Sequence, residues 1–138
     1  MKTWSCTVPL CPESKANSRR IVRGAQGRRI IRKSDKALAF VNTASLIFRA
    51  NRPAEPFLEN DKLQMSWIVR YPDYRRDFVA SAELIADALQ QAEIIVNDRQ
   101  IRLFGLSGAV DQIGEPYVTV TLKAIGTLPW RVRVRGCT

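Results

Sequence analysis

The chain contains no histidine. That leaves no means for imidazole acid–base chemistry or for Ser/His and Cys/His nucleophile pairs, and it removes the commonest ligand of zinc sites. Cysteine is scarce: Cys6, Cys11 and Cys137 form an odd set without CxxC spacing, which points to reduced thiols in a reducing compartment rather than to a disulfide framework. Long apolar runs are missing as well, so neither a membrane span nor a secretory leader is expected. Acids are in short supply, with 13 Asp and Glu against 22 Lys and Arg and a formal net charge of +9. Such an excess implies a polyanionic partner. Any chemistry must then come from carboxylates, amines, hydroxyls or a metal.

What is present suits a folded protein. The chain is 46% apolar and carries 3 Trp, and its 138 residues fit a single domain with one core. Trp4, Cys6 and Val8 alternate with Ser5 and Thr7, the period of a half-buried strand. From Lys15 to Lys36 the charge is nearly of one sign: Lys15, Arg19, Arg20, Arg23, Arg28, Arg29, Arg32, Lys33 and Lys36 face the single acid Asp35. With Gly24 and Gly27 interrupting it, this run reads as a long basic loop or loose hairpin (10–33) that contacts nucleic acid. Ser34 then caps a helix whose first turn holds Asp35, and Leu38, Val41, Ser45 and Phe48 fall at helical spacing. The following loop carries Glu55, Glu59 and Asp61, which read as ordinary solvated charge.

Leu63, Met65, Trp67 and Val69 predict a second strand, stopped by Pro72. Beyond it stands YPDYRRDFVASAELIADALQQAEIIVND, residues 71–98, which reads as a strand exit, a basic turn, a helix and an acidic turn. Val79, Ala82, Ile85, Leu89 and Ala92 predict the buried stripe of that helix, with Glu83, Asp87 and Gln90 on its more exposed side. Asp77 stands at the start, where it is either a helix cap or a functional acid, and Asp98 follows the end. An acidic cluster inside a basic chain is accounted for by a cation that in turn meets a polyanion, the arrangement of a metal-assisted phosphodiester enzyme. Ile101, Leu103 and Leu106 suggest a third strand, and Tyr117–Ile125 a fourth that forms a hairpin with it. The basic segment 127–138 reads as a C-terminal extension, either an edge strand or a second nucleic-acid contact. The expected fold class is α/β in the mixed α+β sense: a single compact domain with about four strands in a mixed sheet and two main helices.

These residues resemble the RusA family of Holliday junction resolvases. The likeness runs from TWSCTVPLCPES to YVTVTLKAI and is strongest over YPDYRRDFVASAELIADALQQAEIIVNDRQI. That stretch is similar to the family pattern of a proline, a basic turn, Arg-Asp-x-Asp-Asn-x-x-Lys, a helix ending Asp-Ala-Leu and an Asp-Asp-x-Gln-hydrophobic turn. The resemblance implies a homodimer that binds four-way DNA junctions and cuts them with Mg2+, or with Mn2+ as a substitute, in the cytoplasm of a bacterial or phage-infected cell. It implies that Asp77 and Asp98 are the first and last catalytic aspartates, that Asp87 is the helix aspartate supporting them, and that Arg76 is the arginine before the first; Arg75 and Arg76, as cations of the basic turn, are read with the basic segment as holding phosphates. The pattern is broken at Val79, Ala80 and Glu83, where the family has aspartate, asparagine and lysine. Glu83 would then stand in as a metal ligand. The alternative is a relative that binds branched DNA without cutting it.

Overall fold

The computed structural model describes residues 2–12, 19–23, 29–73 and 78–130, with 19–23 and 29–33 described as backbone. Its elements run β1 (Thr3–Val8), β2 (Arg19–Arg23), β3 (Arg29–Lys33), α1 (Asp35–Ala50), β4 (Asp61–Arg70), α2 (Ser81–Gln91), a 3-10 turn (Asp98–Gln100), β5 (Ile101–Phe104), β6 (Gly108–Ala109) and β7 (Tyr117–Thr127). The mixed α+β class and the two helices agree with expectation. The main sheet has five strands, in the order β1-β7-β4-β5, with the short β6 also beside β4.

The alternation in the sequence becomes rows across this sheet. Val8, Val118 and Val69 lie side by side, then Cys6, Val120 and Trp67, then Trp4, Leu122 and Met65. All nine are buried, and the core lies between this face and the two helices. On the opposite face Thr7 meets Thr119, with hydroxyls 2.8 Å apart, and Ser5 meets Thr121 at 3.1 Å. One face is therefore apolar and the other hydroxyl-rich, which fixes the register because a one-residue slip would invert every side chain.

The last two strands do not form the hairpin expected of them. β7 pairs antiparallel with both β1 and β4, whereas β5 and β6 pair parallel with the outer edge of β4. A parallel partner needs a crossover, and α2 provides it between β4 and β5. The third strand also ends early: it stops at Phe104, and Leu106 lies beyond it, fully exposed.

The basic run is a hairpin in its backbone, with Arg19 opposite Lys33 and Arg23 opposite Arg29. α1 starts as its sequence dictates, Ser34 accepting from the Ala37 N–H at 3.2 Å and Asp35 in the first turn. Trp4 ties β1 to the other end of α1, its Nε1–H donating to the Asn51 carbonyl at 2.7 Å. The segment beyond 126 is less of an appendage than expected, since Thr127 pairs with Asp61 and Leu128 is buried, its N–H donating to Asn60 at 2.7 Å. Residues 131–138, including the Arg/Val alternation and Cys137, lie outside the described residues. No helix among the described residues is long and apolar enough to cross a membrane.

Candidate metal and nucleic-acid site

α2 starts differently from expectation. Its N-cap is Ala80, which contributes no side-chain hydrogen bond, and Asp77 lies outside the described residues together with Arg75 and Arg76. Val79 precedes the helix and is 79% exposed, so it is not part of the buried stripe. The helix is anchored instead through Ser81, whose hydroxyl accepts from Trp67 Nε1–H at 2.8 Å and donates to the Phe78 carbonyl. Leu84, Ile85, Ala88 and Leu89 then face the core, which turns Glu83 outward.

The far end of α2 delivers Asp98. The N–H of Ile94 donates to Leu89 at 3.0 Å and that of Glu93 to Gln90 at 3.0 Å, closing a Schellman motif in which Glu93 takes the left-handed position at φ 61°. Leu89 and Ile94 are both buried, the apolar contact that accompanies this motif. The chain then enters a capping box. Asn97 accepts from the Arg99 N–H at 2.9 Å, and Gln100 Oε1 accepts from Val96 N–H at 2.9 Å and Asn97 N–H at 3.2 Å. Gln100 is fully buried, and its Nε2 donates to the Leu58 and Asp61 carbonyls at 2.7 and 3.1 Å. Asp98 itself is held from behind, its N–H donating to Gln90 Oε1 at 3.1 Å. The side chain of Asp98 is thus exposed on a turn whose every neighbour is fixed.

Glu83 and Asp98 share a lining here. They line one open cleft of about 200 Å3 with Met65, Ala82, Ala86, Ile101 and Phe104. A bulge creates that lining. Leu63 pairs with Ile101 but Gln64 pairs with Leu103, so Arg102 is an extra residue in β5. The bulge inverts the parity of the strand, placing Ile101 and Phe104, rather than Ile101 and Leu103, on the cleft side. Period-two reading of the sequence therefore missed Phe104.

Asp87, half-buried on α2, is not among the residues lining the cleft. Among the described residues no group of three or more Asp, Glu, Cys or His gathers as a metal-ligand cluster. Lys15 and Arg28 lie outside the described residues, while Arg19, Arg20, Arg23, Arg29, Arg32 and Lys33 sit on the hairpin strands.

Asp61 corrects another expectation. It is 7% exposed rather than solvated, with its carboxylate 2.6 Å from Lys2 Nζ and accepting from the Leu58 N–H at 2.7 Å. Its backbone carbonyl also receives Gln100, so this partly buried pair supports the loop on which the Asp98 turn rests.

No protein-family model matches the chain, and no curated protein matches it at a significant level.

Proposed function

We propose that the chain is a metal-dependent endonuclease for four-way or otherwise branched DNA, acting as a homodimer in the cytoplasm of a bacterial or phage-infected cell. The observation that carries this reading is the placement of Glu83, from α2, and Asp98, from the turn after it, on the lining of one open cleft of a chain with a net charge of +9. Two carboxylates on one open cleft of a strongly basic chain supply the hard oxygen donors that a divalent cation takes.

The donor chemistry fits the magnesium class. Carboxylate oxygens are hard ligands, and Mg2+ commonly keeps several waters while one or two protein carboxylates hold it. Glu83 and Asp98 would hold the ion, with Mn2+ as a substitute, and the resemblance adds Asp77 to the ligand set. A bound ion of this kind lowers the pKa of a coordinated water and polarises phosphoryl oxygens. The chain's own part is to fix the two acids: Gln90 and the capping box orient the Asp98 turn, and the helix presents Glu83. The cations of the β2–β3 hairpin, with Arg75 and Arg76, would hold backbone phosphates, contacts that give affinity without reading sequence. Two copies would present two clefts to opposed strands of a junction.

A second reading, binding of branched DNA without cleavage, is favoured by the 79% exposure of Val79 and by Ala80 at the N-cap. An aspartate and an asparagine are what the resemblance puts at those positions, and neither valine nor alanine can ligate a metal. Both readings share the nucleic-acid partner. It is tested by titrating the protein against a labelled four-way junction and a linear duplex of the same sequence, with and without chelator, over a range of salt. Tighter binding to the junction, weakening steeply as salt rises, is the expected outcome. Equal affinity for both DNAs would contradict it.

A further inference from the structure

Phe104 ends β5 at the rim of the cleft lined by Glu83 and Asp98, and its ring is 58% exposed. Its position is over-determined. The backbone pairs Phe104 with Met65, and the next N–H, that of Gly105, donates to the Met65 carbonyl at 2.8 Å. Glycine permits that approach, because a Cβ at 105 would stand 2.5 Å from Gln64 Nε2 and 3.2 Å from Ser66 Cβ. The ring meets Trp67 at 83° with centroids 5.2 Å apart, and Trp67 is stacked on Phe78 at 5.2 Å and 22°. Trp67 is buried and hydrogen-bonded to Ser81. A fixed indole therefore buttresses an exposed phenyl ring beside two carboxylates.

We infer that Phe104 is a stacking platform for an unpaired nucleobase at the branch point of the DNA. The inference rests on the branched-DNA reading above and names the part of the substrate that this rim would grip. The exposed phenyl ring offers no charge or hydrogen-bond donor to a phosphate but suits the neutral face of a base. Every base offers a π-face, so stacking matches a protein whose other DNA contacts are indifferent to sequence. A branch point supplies bases that are already unpaired or weakly stacked, where the cost of releasing them is least. The buttressed ring loses little rotamer freedom on binding.

The test uses the full chain and a four-way junction carrying 2-aminopurine at the branch point, in chelator so that the strands stay whole. Anisotropy of a dye on one arm reports affinity, and 2-aminopurine fluorescence reports stacking. F104L keeps an apolar side chain but loses the π-face, whereas F104W keeps it, and thermal unfolding of both variants checks the fold. The native protein and F104W quench the 2-aminopurine; F104L loses the quench and binds about tenfold more weakly. Junction binding without a quench in the native protein, or a quench that survives F104L, overturns the stacking role and leaves the branched-DNA reading standing. Absence of junction binding by anisotropy in the native protein overturns that reading and this inference together.

Discussion

Asp61 shows how far a single residue departs from its local context. In sequence it belongs to a polar loop with Glu55 and Glu59, and nothing nearby marks it as buried. Its partner, Lys2, comes from the other end of the chain through the β1–β7–β4 pairing, a contact no local pattern reveals. Asp61 is buried but Lys2 is part-exposed, so the main loss on removing the Asp61 carboxylate is the stranded Leu58 N–H. D61A should therefore cost about 1–2 kcal/mol in urea unfolding, and a K2M/D61N double-mutant cycle should show coupling; an additive cycle would mean that the two residues do not act as a pair. Cys6 offers a second residue-level test. Burial pushes its thiol above the ordinary value, so the folded state keeps the proton where the unfolded chain loses it. That contribution to stability is fully present below the ordinary thiol value of about 8.5 and is lost as pH rises through the folded-state value. The native protein should thus lose stability above about pH 8.5 more steeply than C6A, as read from urea midpoints across the alkaline range.

At the scale of elements, what was legible depended on whether one face was buried and the other wet. β1, β4 and β7 alternate cleanly because the sheet has one covered and one hydroxyl-bearing face, and α1 announces itself through the Ser34 cap. The order of the strands was not legible. Turn residues between 111 and 116 mark a loop but not which strand follows alongside, and the parallel pairing of β5 arises through α2. The bulge at Arg102 hid Phe104 in the same way, since one extra residue reverses the faces. Val79 was misplaced because α2 starts at Ser81 under the control of the Trp67–Ser81 hydrogen bond rather than of the apolar period. The exit of α2 carries its own prediction. Glu93 occupies a left-handed position that costs an L-residue about 1 kcal/mol, and glycine is at ease there. E93G should raise stability by about 0.5–1 kcal/mol in the same urea assay; a loss would show that the Glu93 side chain contributes more than its backbone costs.

For the whole molecule, the excess of positive charge, the single domain and the absence of histidine were all visible from composition, and they narrow the chemistry to carboxylates and their ligands. The fold then brings two of the acids singled out in the sequence, Glu83 and Asp98, onto one cleft and leaves Asp87 off it. That juxtaposition depends on long-range supports: Gln100 riveted to the 58–61 loop, the loop held by Asp61, and Asp61 by Lys2. None of these supports is titratable chemistry at the cleft, yet each positions it. The most direct measurement is a nicking assay on an end-labelled four-way junction with Mg2+, Mn2+ or chelator, comparing the native protein with D98N and E83Q. Cleavage that needs either metal and falls at least a hundredfold in both variants, on the scale of losing a group that stabilises developing charge, is what the account predicts. Tight junction binding with no nicks in either metal, unchanged by the two substitutions, would contradict it and leave a protein that holds branched DNA without cutting it.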